Sequence, residues 1–172
     1  MGILSGNPKH EPMHYGEVSG AWGSLVAKKG MISYYQVLHN HTGDADLRDF
    51  IEQSIDTARE EAAELERVLK ENGVPLPPSP PEKPKADLEL IPPGARLTDV
   101  EVASLVAADT SMGLVACSQV MAMCIREDLA ALYLTFYTKK AEMGLRMLRM
   151  QKEKGWLVVP PLHVNTAEVQ HA

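Results

Sequence analysis

K-E-N-G-V-P-L-P-P, residues 70 to 78, has a counterpart 82 residues further along the chain. The counterpart is K-E-K-G-W-L-V-V-P-P, residues 152 to 161. Each stretch follows a charged run with the composition of a helix and opens a proline-containing segment. A glycine just after a helix, with proline soon afterwards, is typical of a helix end. The two stretches therefore predict two long helices that end in the same way, one in each half of the chain.

Other matching residues lie at nearly the same separation. E-V-S at 17 to 19 matches E-V-A at 101 to 103, which is an offset of 84 residues. Asp46-Leu47 matches Asp128-Leu129, which is again an offset of 82. Several landmarks at one offset indicate an internal duplication of a helical hairpin.

Apolar residues recur at helical spacing in four segments, which supports this interpretation. The predicted helices cover about residues 14 to 40, 44 to 72, 98 to 125 and 127 to 154. T-D-V-E, residues 98 to 101, is a capping box at the start of the third helix. Asp44 suits the N-cap of the second helix, and Gly43 suits a left-handed residue that ends the first.

The two hairpins, residues 14 to 72 and 98 to 154, are joined by a segment of residues 73 to 97 that contains eight prolines. Prolines exclude regular helix there and favour an extended chain that rises about 3.1 Å per residue. Such a segment can cross the full length of a helix. We therefore predict an all-α, ferritin-like four-helix bundle: two antiparallel hairpins, one long proline-rich crossover and a tail from residue 155 to 172. The alternative is an up-down-up-down bundle with a loose loop.

Composition narrows the class of protein. The chain has 172 residues, the length of a single domain, and a formal charge of −6, which argues against a nucleic-acid partner. A secretory signal is missing, and so is a stretch of about 18 uncharged apolar residues, so we expect a cytoplasmic protein without a membrane span. Cys117 and Cys124 lie about 10 Å apart if both are on one helix, too far for a disulfide, and are expected to be free core thiols.

The sequence resembles a ferritin-like family of unknown function from spore-forming bacteria, related to spore coat protein F. The resemblance covers nearly the whole chain and lies in caps, turns and helix ends. It implies the fold and a spore-coat association, and it supplies no catalytic residues. The matching motifs are E-V-S-G-A-W (17 to 22), H-T-G-D-A-D-L-R-D-F-I (41 to 51), N-G-V-P-L-P-P (72 to 78), R-E-D-L (126 to 129) and K-G-W-L-V-V-P-P (154 to 161).

A di-iron centre of the ferritin type requires a Glu from each of two helices and a Glu-x-x-His from each of the other two. Glu17 and Glu101 could form the first pair, but the second helix has no histidine after its start and the fourth has none. Glu11-x-x-His14 and Glu168-x-x-His171 have the required spacing but lie in the terminal segments. We therefore expect no di-metal centre and no cofactor, and we interpret Glu17 and Glu101 as first-turn acids that complement helix dipoles.

His39 and His41 flank the first turn, and His163 is expected near the same end of the bundle. These three are the candidate zinc ligands, although two histidines at the end of a helix more often complement its dipole. Asp109 lies on the apolar stripe of the third helix, so it needs a partner such as Lys28, Lys29 or a tyrosine of the first helix. The methionines of the last two helices are interpreted as core fillers. They are Met112, Met121, Met123, Met143, Met147 and Met150.

These observations favour a non-enzymatic structural or assembly protein, and the resemblance implies that it is associated with the spore coat. We expect a homo-oligomer, a dimer in the simplest case, on the basis of the glycine-rich first helix and of aromatics expected to be exposed, Tyr34 and Trp156. Other spore-coat proteins are further candidate partners. Two alternatives stay open: a metal-binding protein or metal-dependent enzyme that uses the turn histidines, and a binder of small apolar ligands in a methionine-lined core.

Overall fold

The computed structural model describes residues 11 to 163. Within that part the chain forms four α-helices and no strand. The helices are α1 (Tyr15–His41), α2 (Ala45–Glu71), α3 (Asp99–Met123) and α4 (Glu127–Glu153). The all-α prediction is confirmed, and each predicted helix agrees with the observed one to within about two residues. The predicted segments beyond residue 163 and before residue 11 lie outside the described residues.

The helix ends follow from local sequence. α1 and α3 begin with capping boxes at His14 and Thr98, and in each the glutamate three residues on accepts from the N-cap backbone. α2 and α4 are followed by Gly73 and Gly155, whose φ angles of 70° and 69° are the left-handed conformation that glycine adopts without strain. The same assignment for Gly43 was wrong: α1 ends at Thr42 in extended conformation.

Neighbouring helices of the bundle run antiparallel. α1 packs against α2, α3 packs against α4, and a smaller contact joins α1 to α3. The start of α1 lies at the end of α3, where His14 Nε2 is 3.0 Å from the Met123 carbonyl oxygen. The start of α2 lies at the end of α4, where Lys154 Nζ is 2.6 Å from Asp44 Oδ2. The chain therefore crosses the length of the bundle between α2 and α3, as the ferritin-like topology requires.

The crossover is attached to α1 by side-chain hydrogen bonds. Proline lacks an N–H but keeps its carbonyl, so the crossover offers acceptors that a neighbouring helix can use. α1 supplies the partners at intervals of one or two turns, on one face. Each α1 side chain donates to the carbonyl oxygen of one proline: Trp22 to Pro75 (3.0 Å), Lys29 to Pro77 (2.9 Å), Ser33 to Pro81 (3.4 Å) and Asn40 to Pro84 (3.0 Å).

The two hairpins cap each other's turns. Asp99, at the start of α3, accepts from the N–H groups of Gly43 and Asp44 in the α1–α2 turn, at 2.8 and 3.3 Å. Glu17, at the start of α1, accepts from the N–H groups of Ile125 and Arg126 in the α3–α4 turn, both at 2.8 Å. The two turns are 82 residues apart in sequence. The donor positions correspond in the two hairpins but the acceptors do not, since the repeat counterpart of Glu17 is Glu101, and the internal duplication stays a prediction.

The core is divided into two apolar halves by a polar layer. One half lies around the α1–α2 turn and contains Tyr35, Leu38, Phe50, Ile51, Val106 and Met147. The other half lies around the α3–α4 turn and contains Leu25, Leu65, Leu69, Val120, Tyr133 and Phe136. Between them lie buried Lys28, Glu61, Thr110 and Lys140, one from each helix, with half-buried Asp109 next to Thr110; these five residues are the polar layer.

Replacing Glu17 should be far more damaging than replacing Glu101, although the two hold matching positions in the capping boxes. Glu17 is 1% exposed and is the acceptor for two N–H groups of the distant α3–α4 turn as well as for His14 N. Glu17→Ala should lower the free energy of unfolding by about 3 kcal/mol, because it leaves buried donors without an acceptor. Urea denaturation of both variants measures the difference. Equal losses for Glu17→Ala and Glu101→Ala would contradict the role of Glu17 as a clamp between hairpins.

Candidate functional site

The two turn histidines face different parts of the bundle. His39 Nε2 lies 2.9 Å from Glu52 Oε1 of α2, although the angle at this contact does not give a well-directed hydrogen bond. His41 Nδ1 accepts from the backbone N–H of Leu97, at 3.1 Å, just before α3 begins. Each ring is therefore occupied by its own neighbour, and the structure does not bring the two imidazoles together.

The third candidate ligand, His163, is exposed at the end of the described chain. Among residues 11 to 163 no group of three or more His, Cys, Asp and Glu side chains is arranged to hold a metal ion. His14, of the first Glu-x-x-His pair, is the N-cap of α1 and accepts from Gly16 N at 2.9 Å. Glu168 and His171 lie outside the described residues. The geometry thus does not favour a zinc site at the first turn, and the absence of a metal site stays a prediction.

Three assignments of apolar residues need correction. Met112 and Met123 are exposed, so they are not core fillers, whereas Met147 is buried and Met121, Met143 and Met150 are half-buried. Trp156 is half-buried against the core instead of exposed, with Lys154 Nζ 5.5 Å from its ring centre. Cys117 and Cys124 are both free, as predicted, and Cys117 is buried.

The polar layer in the middle of the bundle is the strongest candidate site. Lys28 of α1 is 8% exposed and Glu61 of α2 is 3% exposed, and the two form a direct ion pair. Lys28 Nζ also lies 5.6 Å from the centre of the Phe136 ring. A buried ion pair is costly to desolvate and strongly destabilising when only one partner is removed.

The other half of the layer is less tightly paired. Tyr35 donates its hydroxyl to Asp109 Oδ2 at 3.0 Å, so among the predicted alternatives for the partner of Asp109 the structure has the tyrosine and not Lys28 or Lys29. Lys140 of α4 is 5% exposed, and its Nζ lies 3.9 Å from the same Asp109 oxygen. At that distance the lysine is an electrostatic neighbour of Asp109 but not a hydrogen-bond donor to it.

Lys140 reaches the layer across the backbone of α3 at Gly113. A Cβ atom at position 113 would lie 2.4 Å from Lys140 Cδ and 2.9 Å from Nζ, so the glycine makes room for the lysine. Beside the lysine is a cavity of about 90 Å³, bounded by α1, α3 and α4. Two residues of its lining, Ala27 and Ala116, are exposed, so the cavity opens to the surface between α1 and α3.

Burial and charge perturb the titratable groups around this cavity. Burial, followed by the positive charge of Lys28, lowers the pKa of Lys140. Burial raises the pKa of the Cys117 thiol, and it raises the pKa of Tyr133 to about 12. Burial and the Asp109 charge both raise the pKa of Tyr35. The site therefore combines a thiol and two phenols that stay protonated with one amine that loses its proton more readily than an exposed lysine.

The sequence analysis missed Lys140 and Glu61, although the helical period could have found both. Lys140 lies four residues after Phe136 and seven before Met147, which are both core residues. Glu61 lies three residues after buried Ala58 and four before buried Leu65. Neither residue is expected in a core from its type alone, because lysine and glutamate are usually exposed.

Comparison with known proteins shows the family. A family described as "Protein of unknown function (DUF3231)" matches residues 1–169. This chain belongs to that family. A relative in Bacillus subtilis (strain 168), "Uncharacterized protein YvdQ", is 51% identical over 164 residues, which cover 95% of this chain and 96% of the relative.

Solved structures agree with the fold. A protein of Bacillus halodurans C-125 named "putative spore coat protein (BH2358)" superposes with a TM-score of 0.91 at 45% identity, covering 92% of this chain and 100% of that one. The conserved hypothetical protein Rv2844 of Mycobacterium tuberculosis gives a TM-score of 0.66 at 15% identity, over 80% of this chain and 98% of that one. A two-domain protein of Anabaena variabilis ATCC 29413, with DJ-1/ThiJ/PfpI-like and ferritin-like domains, gives 0.64 at 13% identity, covering 91% of this chain and 40% of that one.

The polar layer does not fit the di-metal centre of ferritin-like proteins. Such centres use carboxylates and histidines that project inward from all four helices. Two of the helices here project Lys28 and Lys140 instead, and one of the two carboxylates present, Glu61, is paired with Lys28. Ammonium groups inside the layer would repel a metal ion. A di-metal site therefore has no place in this layer.

Single removal of Glu61 should be strongly destabilising, and removal of both partners should not. Glu61→Leu leaves Lys28 buried without a counter-ion and should cost about 3–5 kcal/mol in the free energy of unfolding. Lys28→Met combined with Glu61→Leu should return the protein to within about 1 kcal/mol of the wild type. Chemical denaturation of the two single variants and the double variant measures this. A double variant as unstable as Glu61→Leu would show that the layer is needed for stability.

Gly113 and Lys140 should be energetically coupled. Gly113→Ala should stabilise the protein by up to about 1 kcal/mol in a Lys140→Ala background, since alanine favours helix, but less when Lys140 is present and must move. Gly23→Ala is the matched control, because a Cβ at Gly23 meets nothing within 4 Å. The control should stabilise both backgrounds equally. A double-mutant cycle on urea midpoints tests this, and zero coupling at Gly113 would contradict the observed path of Lys140.

Proposed function

We propose that this protein is a non-enzymatic structural protein of the spore coat, which associates through one face of its bundle. The observation that supports this most strongly is the unequal distribution of charge among the helices. Asp, Glu, Lys and Arg account for 13 of 27 residues in α2 and 9 of 27 in α4, but for 3 of 27 in α1 and 3 of 25 in α3. One side of the molecule is therefore highly charged and the other is not.

The few charged residues of α1 and α3 are buried, paired with another helix or placed at a helix end, and Asp109 is half-buried and accepts a hydrogen bond from Tyr35. Glu17 and Lys28 are buried, and Lys29 pairs with Glu66 at 2.9 Å. Asp99 and Glu101 lie in the first turn of α3. We call the outer surface of α1 and α3 the uncharged face. Its large exposed apolar side chains are Val26, Tyr34, Leu105, Met112, Val115 and Met123.

The polar residues on the uncharged face are compatible with burial. Ser104, Ser111 and Ser118 follow one another at one- to two-turn intervals along α3. Each hydroxyl donates to the backbone carbonyl four residues earlier, at 2.8 to 3.0 Å. Because these donors are already bonded within the helix, covering them with another molecule leaves few unsatisfied polar groups. Small side chains also allow another helix to approach closely.

The size of the uncharged face is sufficient for a stable interface. A helix of 25 residues, the length of α3, is about 37 Å long, and two adjacent helices are about 20 Å wide, which gives on the order of 700 Å². A standard protein–protein interface buries about 800 Å² on each partner. We therefore propose a second copy of this chain as the occupant, in agreement with the dimer predicted from the sequence.

A membrane is the alternative occupant. The segment Pro93–Met123 is long and apolar enough to cross a bilayer, with a mean hydropathy of 1.5 in a window that is 28% buried inside the molecule. However, core helices of soluble proteins meet the same criterion, and α3 carries Asp109 and contributes Val102, Val106 and Val120 to the core. The uncharged face also lacks the lysines and arginines with which interfacial helices bind anionic lipid. These points favour protein association.

The coat assignment rests on the relative from Bacillus halodurans. That protein is named a spore coat protein only provisionally, but it shares 45% identity and the whole fold with this chain. A compact bundle with a proline-rich crossover on its surface suits a packing role, because extended proline segments offer exposed carbonyls to partners. Synthesis in the cytoplasm followed by deposition on the spore is the localisation that we propose.

A lysine placed on the uncharged face should disrupt self-association. Val115 is 58% exposed at the centre of the face, and Ala63 is exposed on the charged helix α2. The wild type should be dimeric or larger at micromolar concentration in size-exclusion chromatography with light scattering. Val115→Lys should be monomeric, whereas the control Ala63→Lys should behave as the wild type. A wild type that is monomeric at high concentration but floats with lipid vesicles would replace the second copy by a membrane.

The coat assignment predicts a location in sporulating cells. A fluorescent fusion expressed in sporulating Bacillus subtilis should form a shell around the developing spore and remain with purified spores. Val115→Lys should reduce the signal retained on the spores, because association contributes to retention. Uniform fluorescence in the mother cell with none on purified spores would contradict the assignment.

A further inference from the structure

We propose that Lys140 is the nucleophile of a binding site for a small aliphatic aldehyde or ketone, which it captures reversibly as an imine. The site is the cavity between α1, α3 and α4 in the middle of the bundle. This inference is independent of the proposed coat function, because it concerns the interior of a single molecule. It requires binding and release of a carbonyl compound but no catalytic turnover.

Lys140 has no hydrogen-bond acceptor for its Nζ within the described residues, 11 to 163. Its one carboxylate neighbour in that range is Asp109 at 3.9 Å. The other buried lysine of the layer, Lys28, has a direct ion pair with Glu61. A lysine that is 5% exposed, has no hydrogen-bond acceptor and pairs only loosely with Asp109 is costly, so its position at the cavity is better explained by a ligand than by stability.

The cavity beside Lys140 is small and mostly apolar. Most of its surface is carbon, from Ala27, Met31, Ala116 and Phe136. Its volume of about 90 Å³ corresponds to roughly three water molecules. A phosphate or carboxylate ligand would be desolvated among these apolar groups and repelled by the nearby Asp109. A neutral carbonyl compound with a short alkyl chain suits both the size and the polarity.

The site and water together supply every group that imine formation requires. The lone pair of neutral Lys140 Nζ forms a bond to the carbonyl carbon, and the carbonyl oxygen takes a proton to give a carbinolamine. In forming this carbinolamine the nitrogen gives up one proton, which passes through Asp109 or water to the former carbonyl oxygen. The hydroxyl then takes a second proton from water and departs as water, while the nitrogen lone pair forms the carbon–nitrogen double bond. Loss of the last N–H proton to Asp109 or to water leaves the neutral imine. The addition of water reverses both steps. No oxidant or reductant is involved.

The groups around Lys140 favour the neutral amine. Burial and the positive charge of Lys28 lower the pKa of Lys140, whereas Asp109, Glu61 and Cys117 act in the opposite direction and are smaller in effect. A lysine desolvated in an apolar pocket beside a second cation is the usual arrangement of an amine that attacks carbonyls. Exposed lysines are almost fully protonated at neutral pH and are poor nucleophiles.

The experiment is competitive reductive alkylation. The wild type is treated with substoichiometric propanal and cyanoborohydride at pH 7, and the labelled lysines are located by peptide mass spectrometry. Lys140 should be labelled roughly tenfold faster than its sequence neighbour Lys139, whose exposed side chain pairs with Glu60 at 3.1 Å. The advantage should shrink as the pH approaches about 10, where exposed lysines also become neutral.

Two controls separate the site from general lysine reactivity. Benzaldehyde is too large for the cavity and should label Lys139 and Lys140 without preference for Lys140. Lys140→Met should lose the fast phase of labelling, whereas Lys139→Met should retain it, and circular dichroism melts check that both variants are folded.

The labelling is also repeated on Val115→Lys, in which self-association cannot close the mouth of the cavity. Labelling of Lys140 no faster than Lys139 in both proteins, or fast labelling of Lys28 instead, would overturn the proposal.

Discussion

Charge balance in the middle of the bundle is the constraint on which the rest of the structure depends. Lys28, Glu61, Asp109 and Lys140 come one from each helix and lie between the two apolar halves of the core. Because a buried charge without a counter-charge costs several kcal/mol, the packing of the four helices must place each lysine of this layer near a carboxylate. The balance is uneven, however. One pair is in direct contact, while Lys140 has only a more distant neighbour, Asp109, and lies beside an open cavity.

The ends of the bundle are fixed by a different device. Asp99 and Glu17 each accept hydrogen bonds from the turn of the other hairpin, so neither turn is complete without its partner hairpin. The crossover does not pair with another segment as a strand would. Side chains of α1 hold it in position. The ion pairs and side-chain hydrogen bonds between helices outside the layer lie mainly between α2 and α4 and between α1 and α2 or the crossover, and the outer surfaces of α1 and α3 carry little charge.

Much of the fold could be predicted from the sequence, because local signals determine it. The helix ends and the topology could be predicted from the capping box at Thr98, from Gly73 and Gly155 and from the eight prolines, since each acts within a few residues of its own position. The capping box at His14 was not predicted. Gly43 was misassigned because Asp99, which is distant in sequence, orders that turn.

The site was harder to predict. Lys28, Glu61 and Lys140 are residue types normally exposed, and only the packing of four helices shows that they are buried. Met112 and Met123 were predicted to lie in the core but are exposed, because apolar character alone does not distinguish a core residue from one on an uncovered surface.

The mouth of the cavity lies between Ala27 and Ala116, which are on the uncharged face. Association through that face and entry of a ligand would therefore be linked equilibria. A ligand that fits wholly inside the cavity would leave association unchanged and would be sealed in by it, so that release becomes as slow as separation of the two copies. A ligand that protrudes would weaken association by the same factor by which association weakens its binding. A packed array of such molecules would thus retain small guests for as long as the array persists and release them when it comes apart.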